Sequence, residues 1–156
     1  MAREVDIINQ IVTQIAAKAD GTGDYTTDLS GTDSVRLGGS FSPDRVPCAL
    51  VLFDGKVSTQ TAGVTALNSY SRTMDVKIAV YGAATTEDPG KLGIAAMVVA
   101  DDVRRALEND RELTSSGSPL VDDLEVDFDA APMVDAQAVG VAVLGVRLRY
   151  RAVAGV

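Results

Sequence analysis

The sequence predicts an α+β domain: a mostly antiparallel β-sheet of about four to five strands, with an N-terminal helix and one long helix packed on one face. Three observations carry this. From Arg72 to Tyr81 the even positions are Met74, Val76, Ile78 and Val80, and the odd ones include Thr73, Asp75 and Lys77, the period-two pattern of a half-buried strand. After Asp88-Pro89, a cap and first-position pair, Leu92, Ala95, Ala96, Val99, Val103, Ala106 and Leu107 line one side of a helix. Asp101, Asp102, Arg104, Arg105 and Glu108 line the other. The last third alternates again, which predicts a terminal hairpin.

The remaining elements follow in chain order. Val5, Ile8, Val12, Ile15 and Ala19 recur in steps of three and four, and Ile7 and Ile11 widen the stripe, so Glu4 to Ala19 is expected to be a helix lying on the sheet. Residues 20–33 are rich in Gly, Thr, Asp and Ser and read as a loop, with a short extended piece at Tyr25 to Leu29. Val35-Arg36-Leu37 is a short strand closed by the turn signal Gly38-Gly39. Val46 to Phe53 is apolar on both faces, so it is expected to be central or covered on both sides. Asp54-Gly55 reads as a turn, and the polar stretch 56–69 as a projecting loop able to carry contacts. Asp101 with Arg105, at i and i+4, supports the exposed side of the long helix. Gly93 lies early in that helix and suggests a close approach of helix to sheet. Arg111 to Pro119 is a Ser-Gly-rich connection. Residues 1–156 make one domain, with loops at about 20–33 and 56–69.

Composition excludes several function classes. With 46% apolar residues the chain can bury a core. No apolar run approaches the roughly 20 residues of a membrane span. Arg3, Glu4 and Asp6 interrupt any secretory h-region, so a protein that stays in the cell that makes it is expected. There is no histidine and one cysteine, Cys48. Ser-His-Asp and Cys-His nucleophile arrangements and most zinc sites therefore have no candidates, and Cys48 reads as a buried free thiol. No cofactor is expected. The net charge of −8 disfavours binding to a nucleic-acid backbone, although it suits a wall that DNA slides past.

The hairpin supplies the candidate functional residues. Leu124, Val126, Phe128 and Ala130 face the core in its first strand, with Glu125, Asp127 and Asp129 on the other face. In the second strand Ala142, Leu144, Val146, Leu148 and Tyr150 face the core. Val139, Val141, Val143, Arg147, Arg149 and Arg151 share the other face. A loop over 131–138 places Asp129 opposite Val141, Asp127 opposite Val143 and Glu125 opposite Gly145. The acid and arginine rows then miss each other, and an uncovered valine row lies beside them. That pattern predicts a partner surface on this face, continued by Asp75 and Lys77 of the neighbouring strand. Alternate carboxylates on a strand lie about 7 Å apart. Glu125, Asp127 and Asp129 are thus too far apart for an acid–base dyad but close enough to share an ion, although no calcium-loop spacing is present. Asp101-Asp102 and Asp122-Asp123 read as solvated pairs.

The order helix, strands, long loop, strand, long helix, strand, strand resembles the tail terminator (tail completion) proteins of tailed bacteriophages. The resemblance rests on the N-terminal helix Glu4 to Ala19, on the strand from Pro47 to Phe53-Asp54 and on Arg72 to Gly82 leading into Ala96 to Leu107. It also rests on the closing strand Val146-Arg147-Leu148-Arg149-Tyr150-Arg151. It implies a non-enzymatic virion protein, assembled in the host bacterial cytoplasm, that closes into a ring, usually of six. Such a ring caps the head-proximal end of the tail tube, stops its growth and offers the surface that joins the head. Its partners would be further copies of itself, the tail tube protein and neck or connector proteins, with DNA passing through the lumen. A neck protein, a tube subunit and a small ligand-binding α+β domain stay open as alternatives.

Overall fold

A computed structural model describes residues 3–38, 46–60, 69–83, 89–134 and 139–153. The element order is α1 (Arg3–Lys18), β1 (Val35–Leu37), β2 (Cys48–Gln60), β3 (Ser69–Ala83), α2 (Pro89–Glu108), β4 (Thr114–Ser115), β5 (Ser118–Pro119), β6 (Asp123–Val134) and β7 (Val139–Val153). One five-stranded sheet has the order β1-β2-β3-β7-β6, and β4 and β5 form a separate small hairpin. Among the described residues only β1 runs parallel to its neighbour; the other pairs are antiparallel. The class is α+β, as the alternation in β3 and β7 predicted.

Alternation decides which face is core. Met74, Val76, Ile78 and Val80 of β3 are buried with Ala142, Leu144, Val146, Leu148 and Tyr150 of β7. The same cluster takes in Ile7, Ile11 and Ile15 of α1 and Val99, Val103 and Leu107 of α2. Both helices therefore cover one face. α2 approaches β3 closely at one point. A Cβ added to Gly82 would lie 2.5 Å from the backbone oxygen of Ala95 and 2.9 Å from the nitrogen of Ala96. The close approach inferred from Gly93 is thus made from the strand side, by Gly82.

Two buried polar side chains hold the helical layer together. Gln14 Nε2 donates to the carbonyls of Ala106, Leu107 and Asp110 at 2.9, 3.2 and 3.1 Å, satisfying carbonyls that the end of α2 leaves without helical partners. Asp102, only 3% exposed, accepts the Thr27 amide at 2.6 Å and ties the 20–33 segment to α2. Asp102 is therefore buried rather than solvated. In the same segment an isolated bridge joins Asp20 to Asp28.

Several expectations need correction. The buried stripe of α1 runs through Ile7, Ile11, Gln14 and Ile15, and Val5 is exposed; reaching α2 through Gln14 turns the helix away from the Val5 side. Asp54-Gly55 is not a hairpin turn. β2 continues to Gln60, and between the pairs Phe53–Val76 and Val57–Met74 three residues of β2 oppose Asp75 alone, a bulge. The part of the 56–69 loop at 61–68 lies outside the described residues, as do Gly39 and the capping position Asp88. The connection 111–119 contains the β4–β5 hairpin, turned by Ser116 and Gly117, both at positive φ (51° and 80°), the signature of a type I′ turn.

The register of the last hairpin is the largest correction. β6 runs on to Val134, so 131–134 are strand, with irregularities after Phe128 and after Ala130. The extra residues these absorb shift the pairing. Glu125 lies opposite Arg147, Asp123 opposite Arg149 and Asp127 opposite Gly145. Arg147 and Arg149 of the arginine row thus have acids opposite them within the chain.

Candidate interaction surface

The face of the sheet away from the helices brings together nearly all the residues expected to make contacts. Four lateral rows cross it. Ser71 pairs with Arg151. Thr73, Arg149 and Asp123 form the next row, then Asp75, Arg147 and Glu125, then Lys77, Gly145 and Asp127. Arg147 Nε donates to Asp75 at 3.0 Å, and Asp75 holds the guanidinium above its ordinary pKa. Arg149 lies 3.5 Å from Asp123, which also takes Arg111 Nε at 3.0 Å. Partial burial works against the charge of Asp123, but the Arg111 and Arg149 guanidiniums bring its carboxyl below the usual range overall. Arg147 and Arg149 thus have intrachain partners, which overturns the unmatched rows on which a charge-seeking subunit contact was inferred. Arg151 is exposed with no ion pair among the described residues. The side chain of Asp129 lies outside the described residues.

The valine row is only partly open. Val139 is 6% exposed, while Val141 and Val143 are half-buried. Cys48, Leu50 and Ala79 are buried at the same end. Register puts Leu50, Ala79 and Val143 in one row and Cys48, Tyr81 and Val141 in the next, a second, smaller apolar cluster. Burial pushes the Cys48 thiol up against the opposing influence of Arg36, so it is a closed, unreactive group.

Sequence reasoning missed the outer side of α2. Ile94, Met97 and Val98, at i, i+3 and i+4, project from its N-terminal half with exposures of 64%, 39% and 37%. Two adjoining open hollows lie there, of about 400 and 370 Å³. Asp24, Thr26, Asp101 and Arg105 line the first; Thr27, Asp28, Gly82 and Ala95 line the second. Asp101 is held below its usual range by the hydrogen bond from Arg104, at 2.6 Å, helped by Arg105. The signal was in the sequence: three large apolar residues fall on the charged side of the helical wheel.

No helix among the described residues is long and apolar enough to cross a membrane. Among the same residues no group of three or more carboxylate or thiol side chains could hold a metal ion. Comparison with known protein-family models gives no match, and comparison with curated protein sequences gives none either.

Proposed function

We propose that this chain is a virion structural protein of the tail-terminator type. Copies of it close into a ring, of six in the family it resembles, that caps the head-proximal end of a tail tube and presents the surface for head joining. Tail tube and neck proteins are its partners on the two sides of the ring. The observation that carries the reading is the strip Thr73–Asp75–Lys77 with Arg147, Arg149, Asp123 and Glu125. It spans three strands on the face opposite both helices, and its charges neutralise one another across the strands. A neutralised polar strip offers no net positive field to a phosphate backbone, which suits a lumen that passes DNA without holding it. The test is negative-stain electron microscopy of the purified protein with light scattering. Closed rings of one size support the reading. Long tubes favour a tube subunit, and a monomer at high protein concentration sinks both. The hollows beside α2 keep a ligand-binding reading open: a clear thermal shift with a metal ion or nucleotide, without rings, would establish it instead.

A further inference from the structure

The large exposed apolar side chains gather mainly at Leu37, Phe53 and Val57 on β1 and β2 and at Ile94, Met97 and Val98 on α2. The second group borders the hollow of about 400 Å³, a size that suits a small molecule. What sets this hollow apart is a carboxylate in its wall. Asp102 lines it and is only 3% exposed. Its Oδ2 accepts the Thr27 amide at 2.6 Å. Among the described residues no donor reaches its Oδ1, and no arginine or lysine pairs with it. That oxygen is not enclosed by protein, so it faces the hollow that Asp102 lines. An ionised group withdrawn from water needs both hydrogen bonds and a counter-charge, and this one has half of the first and none of the second.

The neighbouring charges are already engaged with one another. Arg104 is shared between Asp101 and Glu108 at 2.6 and 2.7 Å, and Arg105 holds Asp101 at 2.9 Å. Asp24, exposed at the rim, has no ion pair among the described residues; Arg105 reaches only its backbone carbonyl, at 3.5 Å. Burial and then the charge of Asp102 push the hydroxyl of nearby Tyr25 up, outweighing Arg105. The hollow therefore keeps two uncompensated carboxylates, Asp102 and Asp24, beside the apolar side chains of Met97 and Val98. An anion is repelled there, a neutral molecule leaves the buried charge unserved, and a bare metal ion gains nothing from the apolar wall. One free carboxylate oxygen matches the compact head of an ammonium better than the planar fork of a guanidinium, which seeks two.

We propose that this hollow binds a small primary amine in its ammonium form. The ammonium donates to Asp102 Oδ1, the alkyl chain lies along Met97 and Val98, and Asp24 adds attraction at the rim. The site does not depend on the ring reading.

The test follows amide chemical shifts of the full chain by NMR during titration with n-butylammonium chloride at constant ionic strength. Millimolar affinity is expected of so small a probe, with the largest changes at Thr27, Met97 and Asp102. Ammonium chloride carries the charge without the chain, and n-butanol the chain without the charge. Each should bind at least roughly tenfold more weakly, and sodium butyrate not at all. Asp102→Asn keeps an oxygen for the Thr27 amide and removes the charge, so butylammonium binding should weaken at least roughly tenfold. If that variant fails to fold by circular dichroism, Val98→Lys, at an exposed position, replaces it and should abolish binding by placing its own ammonium beside the carboxylates. Ammonium chloride or n-butanol binding as tightly as butylammonium overturns the proposal. So do an unchanged affinity in the folded variant, shift changes confined to residues away from the hollow, and no shift changes at tens of millimolar amine. Each of these results leaves the ring reading to microscopy.

Discussion

Gly82→Ala should be among the most damaging single-methyl changes in this protein. The added carbon would sit 2.5 Å from the Ala95 carbonyl oxygen, 2.6 Å from its carbon and 2.9 Å from the Ala96 nitrogen. All three are backbone atoms of α2, so no rotamer change can move them aside. Restoring an ordinary carbon contact means lifting the helix by about 1 Å, and gaps of that size forfeit a quarter to a half of the dispersion energy of the atoms they separate. The residues affected are Ala96, Val99, Ala100 and Val103, all buried against the sheet. Overpacking in a tight core costs about 1–3 kcal/mol, and the rigid obstacle puts this case near 3 kcal/mol. For a chain of this size that corresponds to a Tm lower by roughly 6–12 °C. Gly117→Ala is the internal control. Gly117 has a φ of 80° with nothing within 4 Å of an added Cβ, so only backbone strain of about 1 kcal/mol applies. Urea and thermal unfolding of the two variants decide the matter. If Gly82→Ala costs no more than Gly117→Ala, α2 is not seated against β3 as described. The α2 hollows would then lose their basis too, since Gly82 and Ala95 line one of them.

Gln14→Leu keeps the volume but strands the carbonyls at the end of α2, and a loss of about 1–3 kcal/mol is expected in urea unfolding; an unchanged midpoint would mean that water serves those carbonyls equally well. Asp102→Leu removes the acceptor of the Thr27 amide, so hydrogen exchange of that amide should accelerate at least tenfold while the β3 and β7 amides stay protected. Arg147→Ala breaks an ion pair whose arginine side chain is 62% exposed, and a change below about 1 kcal/mol is expected in thermal unfolding. Glu4 accepts the Tyr150 hydroxyl at 2.5 Å and Arg72 at 2.9 Å, and chiefly the Tyr150 bond lowers its pKa. A carboxyl depressed in the folded state stabilises above its unfolded pKa, about 4.3, and loses that contribution as pH falls through the folded value. Urea midpoints of the wild type and Glu4→Gln should therefore differ at pH 7 and converge as the pH falls below the lowered folded-state pKa of Glu4; a gap independent of pH would assign the effect to packing.

The scaffold was legible wherever one face of an element is apolar and the other polar. β3 shows this most cleanly, and its even positions are all core. The start of α2 at Pro89 followed from the fixed φ and missing amide of proline. What stayed hidden depends on contacts distant in sequence. Asp102 reads as a solvated residue and Gln14 falls outside the expected apolar stripe, because nothing local reveals that one holds the 20–33 segment and the other caps α2. Asp54-Gly55 has turn chemistry and sits in a bulge, since pairing with β3 on both sides outweighs the local preference. The stripe of α1 was ambiguous because Val5 and Ile7 each start an acceptable apolar series, and only the position of α2 selects between them.

The register of β6 against β7 matters most for function. Moving the pairing by two residues leaves every side chain on its expected face, so the core is the same in both registers. On the other face the same shift brings Glu125 to Arg147 and Asp123 to Arg149, giving two of the three arginines of the row acid partners within the chain. A surface whose charges already have partners gains little by exchanging them for a neighbour's, because exposed pairs contribute only up to about 1 kcal/mol in either setting. On the ring reading proposed above, the pull between copies then has to come from apolar area. That area lies at Leu37, Phe53 and Val57 and at Ile94, Met97 and Val98, away from the arginines the hairpin first pointed to. Reversing Arg149 to Glu should accordingly leave the oligomer size unchanged in light scattering, while Val98→Asp reduces it. The opposite pattern would place the joint on the charged strip and return the arginine row to the centre of assembly.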